Sequence, residues 1–361
     1  MMKIIYKLSI VFVLVPSIVF AFNDKDKKKH EKSKSINKSF KVNRNALLDI
    51  NNKYGDININ TWNQNTVEIA VKITVKGNNI DDVENRLEGI NIEFNSSNSL
   101  VEATTVIAKQ NNWGFWKKSK NISYEINYTV KLPVTNNVKL NNEYGDIRLD
   151  ELEGNADINC EYGNLNLGDL RGEDTSINLE YCSASSIDSM RDGNINLDYS
   201  KITIDKAASV DLNADYSTVK FNDIQTLMCN TDYGGIEAEK LNSGIISGDY
   251  TSFRFGTVSK SLKLRSDYGS VRVKNLSKEF DFLDINSEYA GIKIGIEPGT
   301  NFNFYIDLQY AGFKRSNNKV QLFKSIEKNS KKYYEGTYGN GTPTGKVTIN
   351  SQYGSVSFYE N

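Results

Sequence analysis

Residues 194–240 read NINLDYSKITIDKAASVDLNADYSTVKFNDIQTLMCNTDYGGIEAEK, with tyrosines at Tyr199, Tyr216 and Tyr233. The same spacing extends in both directions to Tyr144, Tyr162, Tyr181, Tyr250, Tyr268, Tyr289 and Tyr310, at intervals of 17 to 21 residues. An acid precedes each tyrosine except the last. Four positions before Tyr the residue is apolar throughout: Leu140, Ile158, Ile177, Ile195, Leu212, Cys229, Ile246, Leu264, Ile285 and Ile306. Three positions after it come Ile147, Leu165, Ala184, Ile202, Val219, Ile236, Phe253, Val271, Ile292 and Phe313. Alternation on both sides of a Tyr-Gly/Ser/Ala/Thr/Cys corner predicts two short strands per repeat.

A unit this small has one apolar face and buries it only by stacking on copies of itself. The fold class read from the repeat is all-β: a right-handed parallel β-solenoid of about 17–21 residues per coil, with coils about 4.8 Å apart. The hand follows from the rule for parallel crossovers.

Both ends of the chain depart from the repeat. Residues 1–21, MMKIIYKLSIVFVLVPSIVFA, have the form of a signal peptide, with Lys3 and Lys7, an apolar core, and Val19 and Ala21 before the expected cut. Export to the periplasm or cell surface is the expectation, without a lipoprotein anchor or a transmembrane segment in the mature chain. Residues 22–44 read as a basic flexible tether, with eight Lys against three acids between Asn23 and Lys41. Residues 45–137 hold a first coil around Tyr54 and an excursion, 61–133, of strands and one helix in which Ile80, Val83 and Leu87 share a face. That excursion is read as the cap over the solenoid's open end. Residues 138–361 are the solenoid, which KVTINSQYGSVSFYEN closes after a basic, Gly-rich excursion. The GNGTPTG stretch there lacks the spacing of a phosphate loop.

The formal net charge of -1 conceals a segregation, because residues 138–310 carry 29 acids against 16 Lys and Arg. An acidic body excludes nucleic acid as the main partner, since phosphate binding needs a basic surface. The single histidine, His30, lies in the tether, so no Ser-His-Asp or Cys-His arrangement is expected and the chain is read as non-catalytic. The competing class is a polysaccharide-active β-helix enzyme, since carboxylate pairs are abundant. Cys160 and Cys229 are expected inside and Cys182 at a corner; a three-position difference in register puts Cys160 and Cys182 beyond bridging distance.

Two outward columns hold the candidate chemistry. Asn recurs three before Tyr, at Asn141, Asn159, Asn178, Asn196, Asn213 and Asn230, where stacked amides are expected to hydrogen-bond along the axis. One before Tyr stand Glu143, Glu161, Glu180, Asp198, Asp215, Asp232, Asp249, Asp267 and Glu288. Like charges about 5 Å apart repel by roughly 1 kcal/mol in a watery dielectric, so the column needs a reason. Three readings compete: acceptance of a hydrogen bond from each corner's backbone N–H, coordination of a divalent cation such as Ca, and a strip that binds glycan. No other cofactor and no dedicated metal site is expected. The candidate ligand-binding residues are Glu161, Glu180, Asp198, Asp215, Asp232, Asp249 and Asp267, together with Trp113 and Trp116 of the NNWGFWKKSK loop. That loop either plugs the solenoid end or anchors to an interface or sugar. By parity the tyrosines themselves face inward at the corner, packed as rings rather than offered as a platform.

The stretch from NNKYGDININ through EIAVKITVKG, DDVENRLEGI and SYEINYTVKLP into NNEYGDIRLDELEGNADINCEYGNLNLGDLRG resembles the bacterial putative-adhesin β-strand-repeat family of unknown function. The closing GKVTINSQYGSVSFYEN resembles that family's last coil, so the likeness spans residues 45–361. It implies an exported β-solenoid with no established catalytic residues, and the chain is read as a scaffold or binding surface for glycan or another envelope component. Corners at Cys182, Ser200 and Ser217 depart from the family's glycine.

Overall fold

The computed structural model describes residues 28–108, 121–315 and 318–361. Among them the chain is all-β apart from one helix, Ile80–Glu88, and its 26 strands are joined in a single sheet network. The middle of the molecule is a stack of parallel rungs held in the register of the tyrosine repeat. Leu140 pairs with Ile158, Ile158 with Ile177, Ile177 with Ile195, and the series continues through Leu212, Cys229, Ile246, Leu264 and Ile285. All of these side chains are buried, so one apolar residue per rung builds a continuous core along the axis.

The repeats are less uniform than two short strands each. Asn137–Glu143 and Ile147–Leu152 are separate, as are Ala156–Glu161 and Leu165–Leu170, but Lys201–Asp215, Thr218–Asp232 and Gly235–Asp249 each run unbroken between tyrosine corners. One inward slot also differs from expectation. Ala184 is exposed and Ser185 takes its place in register with Ile202, because the corner after Tyr181 carries one extra residue. The Ser185 hydroxyl is satisfied there by accepting the Leu165 N–H at 3.1 Å.

Antiparallel pairs occur at both ends, which makes the sheet mixed. At the N-terminal end Leu47–Lys53 pairs with Asn137–Glu143 on one side and with Leu100–Ile107 of the excursion on the other. Ser123–Pro133 and Thr66–Gly77 pair antiparallel beside it, and the helix, capped by the Asn79 side chain, buries Val83 against this layer. Residues expected in the flexible tether are ordered here: His30–Lys41 is a strand paired antiparallel along the whole of Thr66–Gly77. Ser35, Asn37 and Ser39 alternate with Ile36 and Phe40, which pack against the core with Lys34 and Lys38 half-buried on the same face, and this period of two is what lets a basic segment pair as an edge strand.

At the other end the chain does not finish on the outermost rung. Gly345–Gln352 inserts between Phe282–Glu288 and Phe302–Gln309, parallel to both, so the Tyr353 rung sits between those of Tyr289 and Tyr310. Lys331–Tyr338 pairs antiparallel with Phe302–Gln309, and Val320–Lys328 pairs with it in turn.

Close approach of successive corners explains the glycines. A Cβ on Gly163 would lie 1.9 Å from the Gly145 carbonyl oxygen, and one on Gly145 would lie 2.0 Å from that of Gly55. Gly163→Ala is therefore expected to destabilise the protein by about 1–3 kcal/mol. Gly291→Ala, where nothing lies within 4 Å, should leave stability within about 0.5 kcal/mol; urea unfolding of the two variants side by side tests the contrast.

Candidate functional site: an exposed tyrosine ladder with flanking carboxylates and amides

All twelve corner tyrosines, from Tyr54 to Tyr353, hold a left-handed backbone with φ between 47° and 64°. That conformation costs an L-residue roughly 1–2 kcal/mol. It also breaks the alternation on which the inward assignment rests. An extended strand would turn the tyrosine inside, but the left-handed corner leaves the acid and the tyrosine both outside and turns the next residue in. Tyr144 to Tyr353 are accordingly 44–57% exposed, while Cys182, Ser200, Ser217, Thr251 and Ala290 are buried. The expectation of inward rings is thus corrected by the corner geometry.

Two interactions offset the strain. From Tyr54 to Tyr268 each corner N–H donates to the backbone carbonyl of the acid one rung ahead, as from Tyr162 to Glu180 at 3.0 Å and from Tyr233 to Asp249 at 3.0 Å, and Tyr289 and Tyr353 donate likewise to Gln352 and Gln309. The rings then stack in one unbroken column, in the spatial order Tyr54, 144, 162, 181, 199, 216, 233, 250, 268, 289, 353 and 310. Centroids are 4.6–5.3 Å apart and planes within 10° of parallel. These spacings exceed the roughly 3.5–4 Å contact of carbon atoms, so the stacks are offset. Tyr124 closes the N-terminal end by meeting Tyr54 edge-on at 5.1 Å. Since inner rings spend their faces on each other, what they offer to solvent is chiefly their rims.

The amide column hydrogen-bonds along the axis from Asn141 to Asn213 as its sequence implies, while among the described residues Asn230 makes no such bond. Asn159 donates to Asn141 at 2.8 Å, Asn178 to Asn159 at 2.7 Å, Asn196 to Asn178 at 2.8 Å and Asn213 to Asn196 at 3.2 Å, and Asn350 to Asn286 continues the pattern near the far end. The carboxylates do not follow the corner N–H reading. Among the described residues of that column only Asp232 accepts a backbone N–H, from Asp249 at 3.1 Å, because the tyrosine N–H groups are already committed to carbonyls.

Between the amide and acid columns runs a groove of ≈ 630 Å³ that brings together Glu161, Glu180, Asp198 and Asp215 with Asn141, Asn159, Asn178, Asn196 and Asn213. Asp267 lies in a separate groove of ≈ 320 Å³, with Arg265, Glu288, Asp307 and Lys331. Asp232 and Asp249 line neither groove. Trp113 and Trp116 fall outside the described residues. Among the described residues no three His, Cys, Asp or Glu side chains are grouped to hold a metal ion.

Lys53, not singled out in the sequence, stands in the acid register one before Tyr54 and pairs in the sheet with Glu143. Its ammonium forms an ion pair with the Glu143 carboxylate and sits 5.3 Å from the Tyr54 ring and 5.5 Å from the Tyr144 ring. The Glu143 hydrogen bond pushes the Lys53 pKa up. A cation thus closes the acid column at its first rung, and a lysine at an acid position of the repeat is the signal that could have revealed it.

Ladder phenols at Tyr162, Tyr181, Tyr233 and Tyr353 titrate above their usual 10, chiefly because neighbouring groups displace water and then because nearby carboxylates and phenols oppose a further negative charge.

The fold and its site define a class, an all-β protein of stacked repeats bearing linear surface columns of tyrosine, carboxylate and amide. No family model matches the chain, and no curated protein matches it. Solved structures that align with it include a putative cell adhesion protein from Clostridium sporogenes ATCC 15579, 12% identical over 91% of this chain and 100% of that one, with a TM-score of 0.19. A putative adhesin from Parabacteroides distasonis ATCC 8503 is 12% identical over 90% and 97%, with a TM-score of 0.34. A putative lipid binding protein from the same organism is 11% identical over 92% and 98%, with a TM-score of 0.31.

Tyr216→Ala removes two stacked pairs and is expected to destabilise by about 1–3 kcal/mol. Tyr216→Gly should recover roughly 1 kcal/mol of that, since glycine adopts the left-handed corner without strain. Equal losses in urea unfolding would sink the strain account. The pH dependence has a definite sign. Phenols whose folded pKa lies above 10 stabilise the fold below pH 10 and lose that contribution as pH rises through the folded values. The urea midpoint should therefore fall as pH rises past about 10, and absorbance titration should show folded phenols ionising later than unfolded ones.

Proposed function

We propose that this chain is an exported, non-catalytic scaffold, a right-handed parallel β-solenoid that binds a glycan or another hydroxyl-rich component of the bacterial envelope along its amide and acid columns. The observation that carries the reading is the groove in which Glu161, Glu180, Asp198 and Asp215 face five successive asparagines. Carboxylates accept hydrogen bonds from sugar hydroxyls, and each ladder amide retains hydrogen-bonding capacity beyond the bond to its neighbour. The rung spacing presents these groups as a repeating row, suited to a repeating polymer. Excess negative charge along residues 138–310 disfavours polyanionic partners. The tyrosine rims form one wall beside the acids, a stiff border rather than a set of open stacking faces. Export rests on the signal-like residues 1–21.

A glycan array probed with the mature chain, with and without calcium, tests this function. The expected result is binding of neutral or amino-bearing glycans in both conditions. The double variant Glu180→Gln/Asp198→Asn should then bind at least about tenfold more weakly, or about 1.4 kcal/mol, with an unchanged melting temperature. Binding that requires calcium would transfer the acids' role to ion coordination. No binding in either condition would remove the glycan and leave the scaffold alone. Cell fractionation with surface protease treatment tests export: recovery of the uncleaved precursor in the cytoplasm would overturn it.

A further inference from the structure

We propose that Cys160 and Cys182 close into a disulfide that staples the rung of Tyr162 to the rung of Tyr181. The sequence register sets these residues three positions apart and out of reach, but the left-handed corner at Tyr181 turns Cys182 inward over the preceding rung. The Cys182 sulfur lies 3.3 Å from the Cys160 carbonyl oxygen, and the Cys160 sulfur sits beside Gly163, the corner residue that Cys182 matches one rung on, 3.1 Å from where a Cβ there would lie. Both side chains are buried, at 3% and 0% exposure, so the crosslink forms as the corner folds rather than by later attack from solvent. Cys229, also buried, belongs to the Tyr233 rung, several rungs further along the stack.

The site coincides with an irregularity. The corner after Tyr181 carries the extra residue that exposes Ala184 and places the polar Ser185 in an apolar slot. The next step of the ladder, Tyr181 to Tyr199, is the widest and most tilted in the column, at 5.3 Å and 10°. A covalent bond across the adjoining rungs holds the column in line beside its widest step. Of the pair, Cys182 is the readier thiolate: the neighbouring Cys160 thiol favours its ionised form, and the same neighbour together with burial pushes Cys160 up.

Formation by thiol–disulfide exchange balances with a small-molecule or protein disulfide as oxidant. The Cys182 thiolate attacks one sulfur of that disulfide, whose S–S bond breaks and releases one thiolate, leaving a mixed disulfide on Cys182. The Cys160 thiol gives up its proton and attacks the Cys182 sulfur, expelling the second thiolate. The two released thiolates take up the two protons lost by the cysteines, so one disulfide is reduced to two thiols while the pair is oxidised.

The test refolds the full chain from denaturant in a mixture of reduced and oxidised glutathione, then alkylates it under denaturing conditions and maps the peptides by mass. The expected product has lost two hydrogens, carries alkyl label at Cys229 only, and yields one crosslinked peptide pair containing Cys160 and Cys182. Its melting temperature lies above that of the same chain treated with reductant, and that difference vanishes in Cys182→Ser. Full alkylation of both cysteines in chain that has regained its β-sheet circular dichroism would overturn the proposal. So would pairing with Cys229, stable glutathione on Cys182, or a crosslink that lowers the melting temperature.

Discussion

Everything in this molecule depends on the left-handed tyrosine corner. At each of these positions a bulky residue adopts a backbone that L-residues avoid, and it does so twelve times in one chain. The corner is sustained because it is shared: its N–H reaches the next rung, its ring stacks on both neighbours, and the residue after it enters the core. A stacking contribution of about 0.5–1.5 kcal/mol per pair is of the same order as the strain, so an isolated corner would gain little and a column gains steadily. Repetition is the condition for the local structure.

The same corner sets the surface. It brings acid and tyrosine out together, so carboxylates and ring rims run as adjacent rows with the amide ladder beside them. The rows differ in how they tolerate stacking. Amides satisfy one another along the axis, rings stack offset, and carboxylates repel; Lys53 at the first rung and Arg265, 2.7 Å from Asp267, meet part of that charge. The acids are also the row least engaged with its own neighbours, which leaves their oxygens open to other groups.

The ends are organised by the need to cover open rungs. Added strands close both, and the N-terminal cover draws in His30–Lys41, a basic segment whose two apolar residues, Ile36 and Phe40, are few but on one face, sufficient for an edge strand. At the C-terminal end the last strands enter as the penultimate rung, with Tyr353 between Tyr289 and Tyr310. Register in sequence therefore identifies a rung without giving its place in the stack.

The sequence by itself determined the repeat, the apolar core column, the amide ladder and the existence of an acid row, because each follows from residue type at a fixed interval and needs no knowledge of the corner. Only the tertiary structure decided which way the tyrosines face, that Ser185 replaces Ala184 inside, that Cys182 meets Cys160, and which acids share a groove. The physical reason is the sign of φ at one residue per repeat. Parity carries side-chain direction along an extended strand, but a left-handed residue reverses it, and that reversal is stabilised by contacts between rungs that one repeat, read alone, does not contain.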